Sequence, residues 1–304
     1  MRDDRASATA YLIARSTYFL SRDPLLGRFV TKRAAELSRW FVETRRQFGR
    51  RLDPIAYSKT LRPLNRALER ATIPGIKLHY ALRKRFLEEI AREALANGIR
   101  QVVVIGAGFD TLALRLHEEF TEVEFFEVDH PATQREKKRV IATHQPTRRN
   151  LHFVALDLAH RNLEGSLLAQ EDYQRGAETL FIAEGLLMYL APAEIDLILE
   201  FVRQHSGPKS KFAFTFMETQ SNGRIGFRRS SRLVDAWLRL RGESFKWGMA
   251  RASIPDFLAA RGFDVLGIAA SETLREKYLT SAQLADLPLA DGECICTAAP
   301  VAKG

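Results

Sequence analysis

Four carboxylates follow four apolar segments of this 304-residue sequence, and two glycines accompany the first of them. The acids are Asp110, Asp129, Asp157 and Glu184, and the glycines are Gly106 and Gly108. An acid about 20 residues after a glycine loop suits the hydroxyls of a ribose, and Asp129 follows Gly106 by 23 residues. An acid beside an apolar residue, as in Asp157 and Leu158, suits the edge and face of an adenine. The pattern favours a nucleoside-type ligand over a set of structural caps.

The glycine loop matches only part of the dinucleotide-binding fingerprint. Gly106 and Gly108 follow a buried-type apolar run, but Thr111 stands where the third glycine would be. That difference argues against a pyrophosphate packed on the start of the next helix. Asp110 or Thr111 is a natural N-cap for that helix. A ligand without phosphates is therefore the better match to this loop.

The elements that carry these residues alternate between β-rich and helical patterns. Strands are predicted at 101–105, 123–128, 151–155, 179–183, 211–217, 263–268 and 293–298. Helices are predicted at 76–95, 111–119, 132–144, 160–170, 192–205, 229–241 and 254–261. This alternation predicts a doubly wound α/β domain with a mostly parallel, seven-stranded, Rossmann-like sheet. The connection from about 268 to 293 shows no convincing helix, so we expect the last strand to insert antiparallel.

Residues 1–76 have a different character. Their apolar positions follow a helical period, and Pro54, Pro63 and a turn at 73–75 interrupt them. We therefore expect a helical cap over residues 1–76 and a ligand-binding domain over residues 77–304. Further cap elements are expected at about 218–250.

Composition limits the class of protein. A hydrophobic content of 46% and a charged content of 27% describe an ordinary globular chain. The net charge is +9, and residues 1–100 hold 22 Lys and Arg against 10 Asp and Glu. Such an excess fits an anionic substrate, a nucleic acid, or simply a solvated basic helix face. Cys294 and Cys296 lack a second pair for zinc and are expected to be buried thiols. We predict no metal site, no membrane segment and a cytoplasmic location; the oligomeric state is not predicted.

The ordered motifs resemble those of one known family. They are VIGAGFDT at 104–111, FEVDHP at 126–131, LDL at 156–158, AEGLLMYL at 183–190 and GESFKWG at 242–248. The set is similar to the leucine carboxyl methyltransferase-like family. This family is a branch of the class I S-adenosylmethionine-dependent methyltransferases and includes bacterial O-methyltransferases. The resemblance covers about residues 78–265 and implies S-adenosylmethionine as the cofactor.

The resemblance also implies roles for individual residues. The segment LRKRFLEE at 82–89 matches a family motif whose arginine binds the methionyl carboxylate, with Arg83 the best fit and Arg85 the alternative. Cofactor-binding residues are then Arg83, Gly106, Gly108, Asp110, Asp129, Asp157, Leu158 and Glu184. In this set Asp129 takes the ribose, Asp157 and Leu158 take the adenine, and Glu184 takes the amino group.

The methyl acceptor is less well defined. A carboxylate acceptor is ionised at neutral pH and needs cations to position it, for which Arg224, Arg228 and Arg229 are candidates. A hydroxyl acceptor needs a base, for which His79 or His130 could serve. Tyr189 is expected to position the acceptor. The function expected is O-methylation of a small acidic molecule or a carboxyl terminus. The alternative is an RNA or protein methyltransferase that docks its substrate on the basic N-terminal region.

Overall fold

A seven-stranded sheet forms the centre of the described part of the chain. The computed structural model describes residues 6–47, 62–144, 149–158 and 163–301. The strands are β1 (Gln101–Ile105), β2 (Glu124–Asp129), β3 (Leu151–Ala155), β4 (Thr179–Ala183), β5 (Lys211–Met217), β6 (Phe263–Ala269) and β7 (Glu293–Pro300). Their order across the sheet is β3-β2-β1-β4-β5-β7-β6. The predicted seven-stranded, mostly parallel sheet is therefore confirmed.

Strand direction changes at one side of the sheet. The neighbours from β3 to β5 pair in parallel, whereas β7 lies antiparallel to both β5 and β6. The expected antiparallel insertion of the last strand is confirmed. The chain leaves β1 for β2 on one side and later places β4 on the other. This reversal opens a crevice beyond the carboxyl ends of β1 and β4, where α/β proteins bind ligands.

Helices cover both faces of the sheet. They are α1 (Ala8–Leu20), α2 (Lys32–Gln47), α3 (Arg62–Thr72), α4 (Ile76–Ala96), α5 (Leu112–Glu119), α6 (Pro131–Ala142), α7 (Leu163–Leu167), α8 (Pro192–His205), α9 (Arg232–Arg241), α10 (Ile254–Ala259), α11 (Ser271–Tyr278) and α12 (Ala282–Ala285). Pro131 and Pro192 stand in the first turns of their helices, as the sequence indicates. Two parts of the sequence prediction lie outside the described residues. They are the break at Pro54 and residues 160–162, the start of the predicted helix 160–170.

One expectation about the connections is wrong. The chain between β6 and β7 contains α11 and α12, although no convincing helix is predicted there. Both helices are short, and each buries one leucine, Leu274 or Leu284. A single buried position gives no helical period to detect, because periodicity needs several apolar residues on one face.

The sheet separates two cores. Alternate residues of β1 point to opposite faces, so Val102 and Val104 belong to one core and Val103 and Ile105 to the other. The first core also contains Leu37 and Phe41 of α2 and Tyr11 of α1. The N-terminal helices therefore pack on the same core as the sheet. The division into a cap at 1–76 and a domain at 77–304 remains a prediction.

Two further sequence expectations concern β7 and membranes. Cys294 and Cys296 are both buried in the second core as free thiols. Within the described ranges, none of the helices combines the length and the apolar character that a membrane crossing requires.

Candidate active site

A cavity of about 240 Å³ lies over the carboxyl ends of the central strands. It is lined by ten residues that the sequence singles out: Arg83, Gly106, Gly108, Asp110, Asp129, His130, Asp157, Leu158, Glu184 and Tyr189. They come from α4, from the loops after β1 to β4, and from a short 3₁₀ turn after β4. The fold thus brings into one place residues that are more than 100 positions apart in the sequence.

The loop after β1 exposes its backbone to this cavity. Gly106 and Gly108 have φ values of +71° and +49°, a region that side chains with a Cβ rarely adopt. A Cβ on Gly106 would stand 2.9 Å from the Leu186 side chain, and one on Gly108 would stand 3.0 Å from Ala10. Glycine at both positions lets the chain turn and leaves the loop open to a ligand.

Asp129 is bonded to the same loop. Its carboxylate accepts hydrogen bonds from the backbone N–H of Gly108 and, at 2.6 Å, from that of His130. Burial raises the pKa of Asp129 above its ordinary value, and these two backbone donors oppose that effect. A carboxylate has about four acceptor sites, so this group retains capacity for the hydroxyls of a sugar.

Asp157 and Leu158 border the cavity beyond β3. Both side chains are partly exposed to it. The Nε2 atom of His130 lies 3.6 Å from a carboxylate oxygen of Asp157. This end therefore combines a carboxylate with an apolar side chain, which suits the edge and face of a purine base.

The opposite end holds a buried cluster of charges. The Arg83 guanidinium donates from Nε to Glu184 at 2.9 Å and from Nη1 to both carboxylate oxygens of Glu293, at 2.7 and 2.8 Å. His79 Nε2 lies 2.8 Å from Glu293 Oε2. Lys84 Nζ contacts Asp110 and lies 3.0 Å from Glu184. This end can hold both a carboxylate and an ammonium group.

A second buried cation supports the glycine loop from behind. Lys137 of α6 is 1% exposed and donates to the Asp110 backbone carbonyl at 2.7 Å. Its Nζ also lies 2.6 Å from Glu127 Oε2. Asp110 in turn accepts from the Leu112 N–H at 2.9 Å, while Thr111 is the N-cap residue of α5. These contacts fix the start of α5 relative to the loop.

Two segments close the cavity on its outer side. Glu243, which follows α9, accepts hydrogen bonds from Ser7 Oγ, from the N–H groups of Ala8 and Thr9, and from Thr9 Oγ1. Ser7 caps α1 through its own side chain, which accepts from the Ala10 N–H. The first turn of α1 and residues 242–246 are therefore joined above the glycine loop.

Tyr189 and Lys246 lie at the same closing segment. The Tyr189 ring packs against Phe245 with centroids 5.4 Å apart, and the Lys246 N–H donates to the Met188 carbonyl at 2.7 Å. Burial, with the nearby carboxylates, raises the pKa of Tyr189 well above its ordinary value. Its hydroxyl is therefore a hydrogen-bond donor at neutral pH, not a base.

The three arginines proposed for the acceptor lie elsewhere. Arg224 bonds to Asp235 of α9 at 2.8 Å, and Arg228 bonds to Glu218 at 2.7 Å. Arg229 is exposed. None of the three lines the cavity as the described residues form it. Arg85 also points away, toward Glu89 and the Tyr278 ring.

Several residues of the site are not among those predicted from the sequence. Lys84 stands beside Arg83 in the same motif, and Glu243 and Lys246 stand within GESFKWG, so attention to charge within these motifs could have indicated them. Glu293 is the one charged residue of β7, and Lys137 is one of five charged residues in α6. Only the tertiary structure identifies their positions.

The residues present fit S-adenosylmethionine, the cofactor that the motifs imply. Counted over the described lining, six carboxylates face three lysines and arginines. A site of this sign suits a ligand that carries a sulfonium and an ammonium cation. The open glycine loop, Asp129 and the Arg83–Glu184 pair could hold its amino-acid and ribose parts. No cluster of three potential metal ligands occurs in the described ranges.

Known proteins resemble this chain at several levels. A family model described as leucine carboxyl methyltransferase matches residues 5–203. A relative from Mycobacterium marinum, provisionally named an S-adenosyl-L-methionine-dependent methyltransferase, is 30% identical over 236 residues, which are 70% of this chain and 74% of the relative. One from Mycobacterium ulcerans with the same provisional name is 32% identical over 200 residues, which are 61% of this chain and 62% of the relative.

A solved structure resembles the whole chain. It comes from Thermobifida fusca YX, is provisionally described as a methyltransferase and has a TM-score of 0.55, covering 99% of this chain and 97% of that one. Its sequence identity is 14%, so this likeness shows the fold alone.

Proposed function

Because this chain belongs to the leucine carboxyl methyltransferase family, we propose that it is an S-adenosylmethionine-dependent O-methyltransferase. The observation that carries the proposal is the single cavity that joins Asp129, Asp157 and Glu184 with the glycine loop. In this proposal Arg83 binds the methionyl carboxylate, Glu184 the amino group, Asp129 the ribose, and Asp157 with Leu158 the adenine. Asp110 orders the loop through Lys84 and Leu112.

A carboxylate is the acceptor that we propose, on a small acidic molecule. S-adenosylmethionine, when bound, supplies a methyl group already activated by its sulfonium. The protein then has to align the acceptor and exclude water. The one histidine among the described cavity-lining residues, His130, lies beside Asp157 at the adenine end. A carboxylate needs no base, since it is ionised at neutral pH.

Tyr189 and Lys246 are the acceptor-positioning groups in this proposal. The Tyr189 hydroxyl can donate a hydrogen bond to an anionic oxygen, and Lys246 supplies a cation on the same side of the cavity. They take over the role that the sequence suggests for Arg224, Arg228 and Arg229, because none of these three arginines is among the described residues that line the cavity. We also propose that residues 1–76 and about 218–250 act as the cap over the acceptor.

A calorimetric titration tests the cofactor site. S-adenosylhomocysteine, the demethylated product, is titrated into the wild type, into Asp129→Ala and into Asp264→Ala, which alters an exposed carboxylate on β6. We expect Asp129→Ala to weaken binding by about 10- to 100-fold, the cost of one or two charged hydrogen bonds. Asp264→Ala should bind like the wild type. If the wild type binds neither this ligand nor S-adenosylmethionine, the proposed function is wrong.

The acceptor class is tested with radiolabelled S-adenosylmethionine and a library of small carboxylic acids and phenols. A methyl ester releases labelled methanol on treatment with base, whereas a methyl ether does not. We expect base-labile product and a slower reaction in Tyr189→Phe. Base-stable product alone would contradict a carboxylate acceptor.

A further inference from the structure

The guanidinium of Arg83 is held from two sides by different carboxylates. Nη1 of Arg83 donates to both carboxylate oxygens of Glu293, at the start of β7, at 2.7 and 2.8 Å. One carboxylate oxygen of Glu184, at the end of β4, accepts a hydrogen bond from Nε at 2.9 Å and lies 2.7 Å from Nη2. The Arg83 side chain is 3% exposed, and its Cζ lies 4.9 Å from the centroid of the Tyr80 ring. The two carboxylates supply the hydrogen bonds that orient it within this buried site.

The two carboxylates differ in their access to the cavity. The Glu184 side chain is 9% exposed and lines the cavity, whereas Glu293 is 1% exposed and does not. A ligand entering the cavity can therefore reach the edge of Arg83 that Glu184 holds. The Nη1 group is bonded to Glu293, which lies outside the cavity lining.

Glu293 is itself held in place by His79. Its Oε2 atom lies 2.8 Å from His79 Nε2, and His79 is 1% exposed on the same helix as Arg83. Burial alone would raise the pKa of Glu293, but the Arg83 charge and the His79 contact lower it to about 2. Glu293 is therefore an anion at neutral pH.

We propose that Glu293, supported by His79, is a positioning residue that aims Arg83 at the carboxylate of the cofactor's methionyl group. This proposal rests on the proposed function. When the ligand binds, the hydrogen bonds from Nη1 to Glu293 are retained. Nε and Nη2 exchange their hydrogen bonds with Glu184 for hydrogen bonds with the ligand carboxylate. Glu184 then accepts from the ligand ammonium while it keeps its contact with Lys84, which lies 3.0 Å away.

The physical reason is the high cost of an unpaired charge in a buried site. Without Glu293, Nη1 would have no anion, and Glu184 would be the sole carboxylate paired with Arg83. Arg83 would then hold Glu184 more tightly and present a poorly oriented edge to the ligand. The loss of binding affinity should therefore concern the amino-acid part of the ligand, and binding of the nucleoside part should be unchanged.

Two ligands separate these parts. S-adenosylhomocysteine carries the amino-acid group, and 5′-methylthioadenosine has the same nucleoside without it. We measure the dissociation constants of both for the wild type, Glu293→Gln and His79→Gln. We expect Glu293→Gln to weaken S-adenosylhomocysteine by about tenfold or more and 5′-methylthioadenosine by less than about twofold. His79→Gln, which leaves Glu293 in place, should give a smaller loss in the same direction.

Glu88→Gln is the matched control. Glu88 lies on the same helix and pairs with the buried Arg115 at 2.6 Å, but it does not line the cavity. It should leave the ratio of the two affinities unchanged. A double-mutant cycle adds Arg83→Gln: if Glu293 acts through Arg83, Glu293→Gln should cause no further change of the ratio in that background.

The outcomes are distinct. Equal weakening of both ligands by Glu293→Gln, or no change in either, would overturn the positioning role, and His79→Gln provides the same comparison if Glu293→Gln does not fold. Binding of neither ligand to a folded wild type would instead overturn the proposed function.

Discussion

At the scale of single residues, the cavity depends on buried carboxylates that stand beside buried cations. Glu293 with Arg83, and Asp110 with Lys84, are the clearest pairs. In both, the neighbouring cation overcomes the burial of the carboxylate and lowers its pKa. Removing one partner of such a pair leaves the other charge buried and uncompensated. These pairs therefore link the stability of the fold to the chemistry of the ligand site.

The lowered pKa of Glu293 predicts a specific acid sensitivity. A carboxylate whose pKa is about 2 in the folded state and 4.5 otherwise stabilises the fold above pH 4.5. That contribution is lost as the pH falls from 4.5 toward 2, because the unfolded chain binds the proton first. We expect the melting temperature of the wild type to fall steeply in this interval, and that of Glu293→Gln to start lower and fall less steeply.

Thermal melts followed by circular dichroism between pH 2 and 7 measure this difference. Glu276→Gln, an exposed carboxylate on α11, is the control and should follow the wild type. Parallel curves for Glu293→Gln and the wild type would show that Glu293 has no depressed pKa in the folded protein.

At the scale of elements, the first turn of α1 depends on a residue from the other end of the chain. Glu243 accepts from two backbone N–H groups and two hydroxyls at that turn. A carboxylate at a helix N-terminus satisfies unpaired donors and interacts favourably with the helix dipole. Both joined segments line the cavity, so this contact couples the order of α1 to closure over a ligand.

We predict that Glu243→Ala frays the start of α1. The loss of such a cap costs about 1 kcal/mol, so protease cleavage near residues 6–20 should become several-fold faster. Bound S-adenosylhomocysteine should also dissociate faster, which stopped-flow displacement can measure. Asp235→Ala, which removes a carboxylate from α9 without touching α1, is the control. Unchanged cleavage and dissociation rates in Glu243→Ala would contradict the coupling.

At the scale of the whole molecule, several of the described basic residues in the N-terminal third form ion pairs. Arg33 bonds to Glu118, Arg92 to Glu119, and Lys77 to Glu69. Arg66 bonds to Asp23, and Arg83 and Lys84 face the carboxylates of the cavity. Several of these acids lie beyond residue 100, in the part of the chain whose balance is negative. Among the described residues, Arg33, Arg83, Lys84 and Arg92 pair with acids beyond residue 100, so folding offsets part of the asymmetry that the sequence shows.

This pairing predicts weak binding of RNA. A protein that docks RNA on a basic surface loses affinity steeply as salt rises, because each phosphate contact releases counterions. We expect fluorescence anisotropy with a labelled single-stranded RNA to show no tight binding at about 150 mM salt. Tight binding at low salt with a steep slope would favour the RNA methyltransferase alternative over a small acidic acceptor.

Much of the architecture follows from local sequence patterns. Four of the seven strands have the predicted bounds, and the other three differ by one or two residues at one or both ends. The fully buried strands give unbroken apolar runs, which are easy to recognise. Once the strands are recognised, the acids at their ends can be predicted to lie together, because parallel strands bring their carboxyl ends to one edge of the sheet. The short helices of the 268–293 connection could not be predicted, because each buries one leucine.

The sequence by itself determined the strands, the glycine loop and the acids that face one another across the cavity, because each depends on a pattern within a few residues. Only the tertiary structure decided which distant charges complete the site. Glu293 reaches Arg83 across 210 positions, and Glu243 reaches Ser7 across 236. The first contact requires β7 to insert beside β5, and the second requires α1 to lie over the loop after β1. Contacts between distant residues depend on strand order and helix packing, and a single charged residue within its own segment carries no record of either.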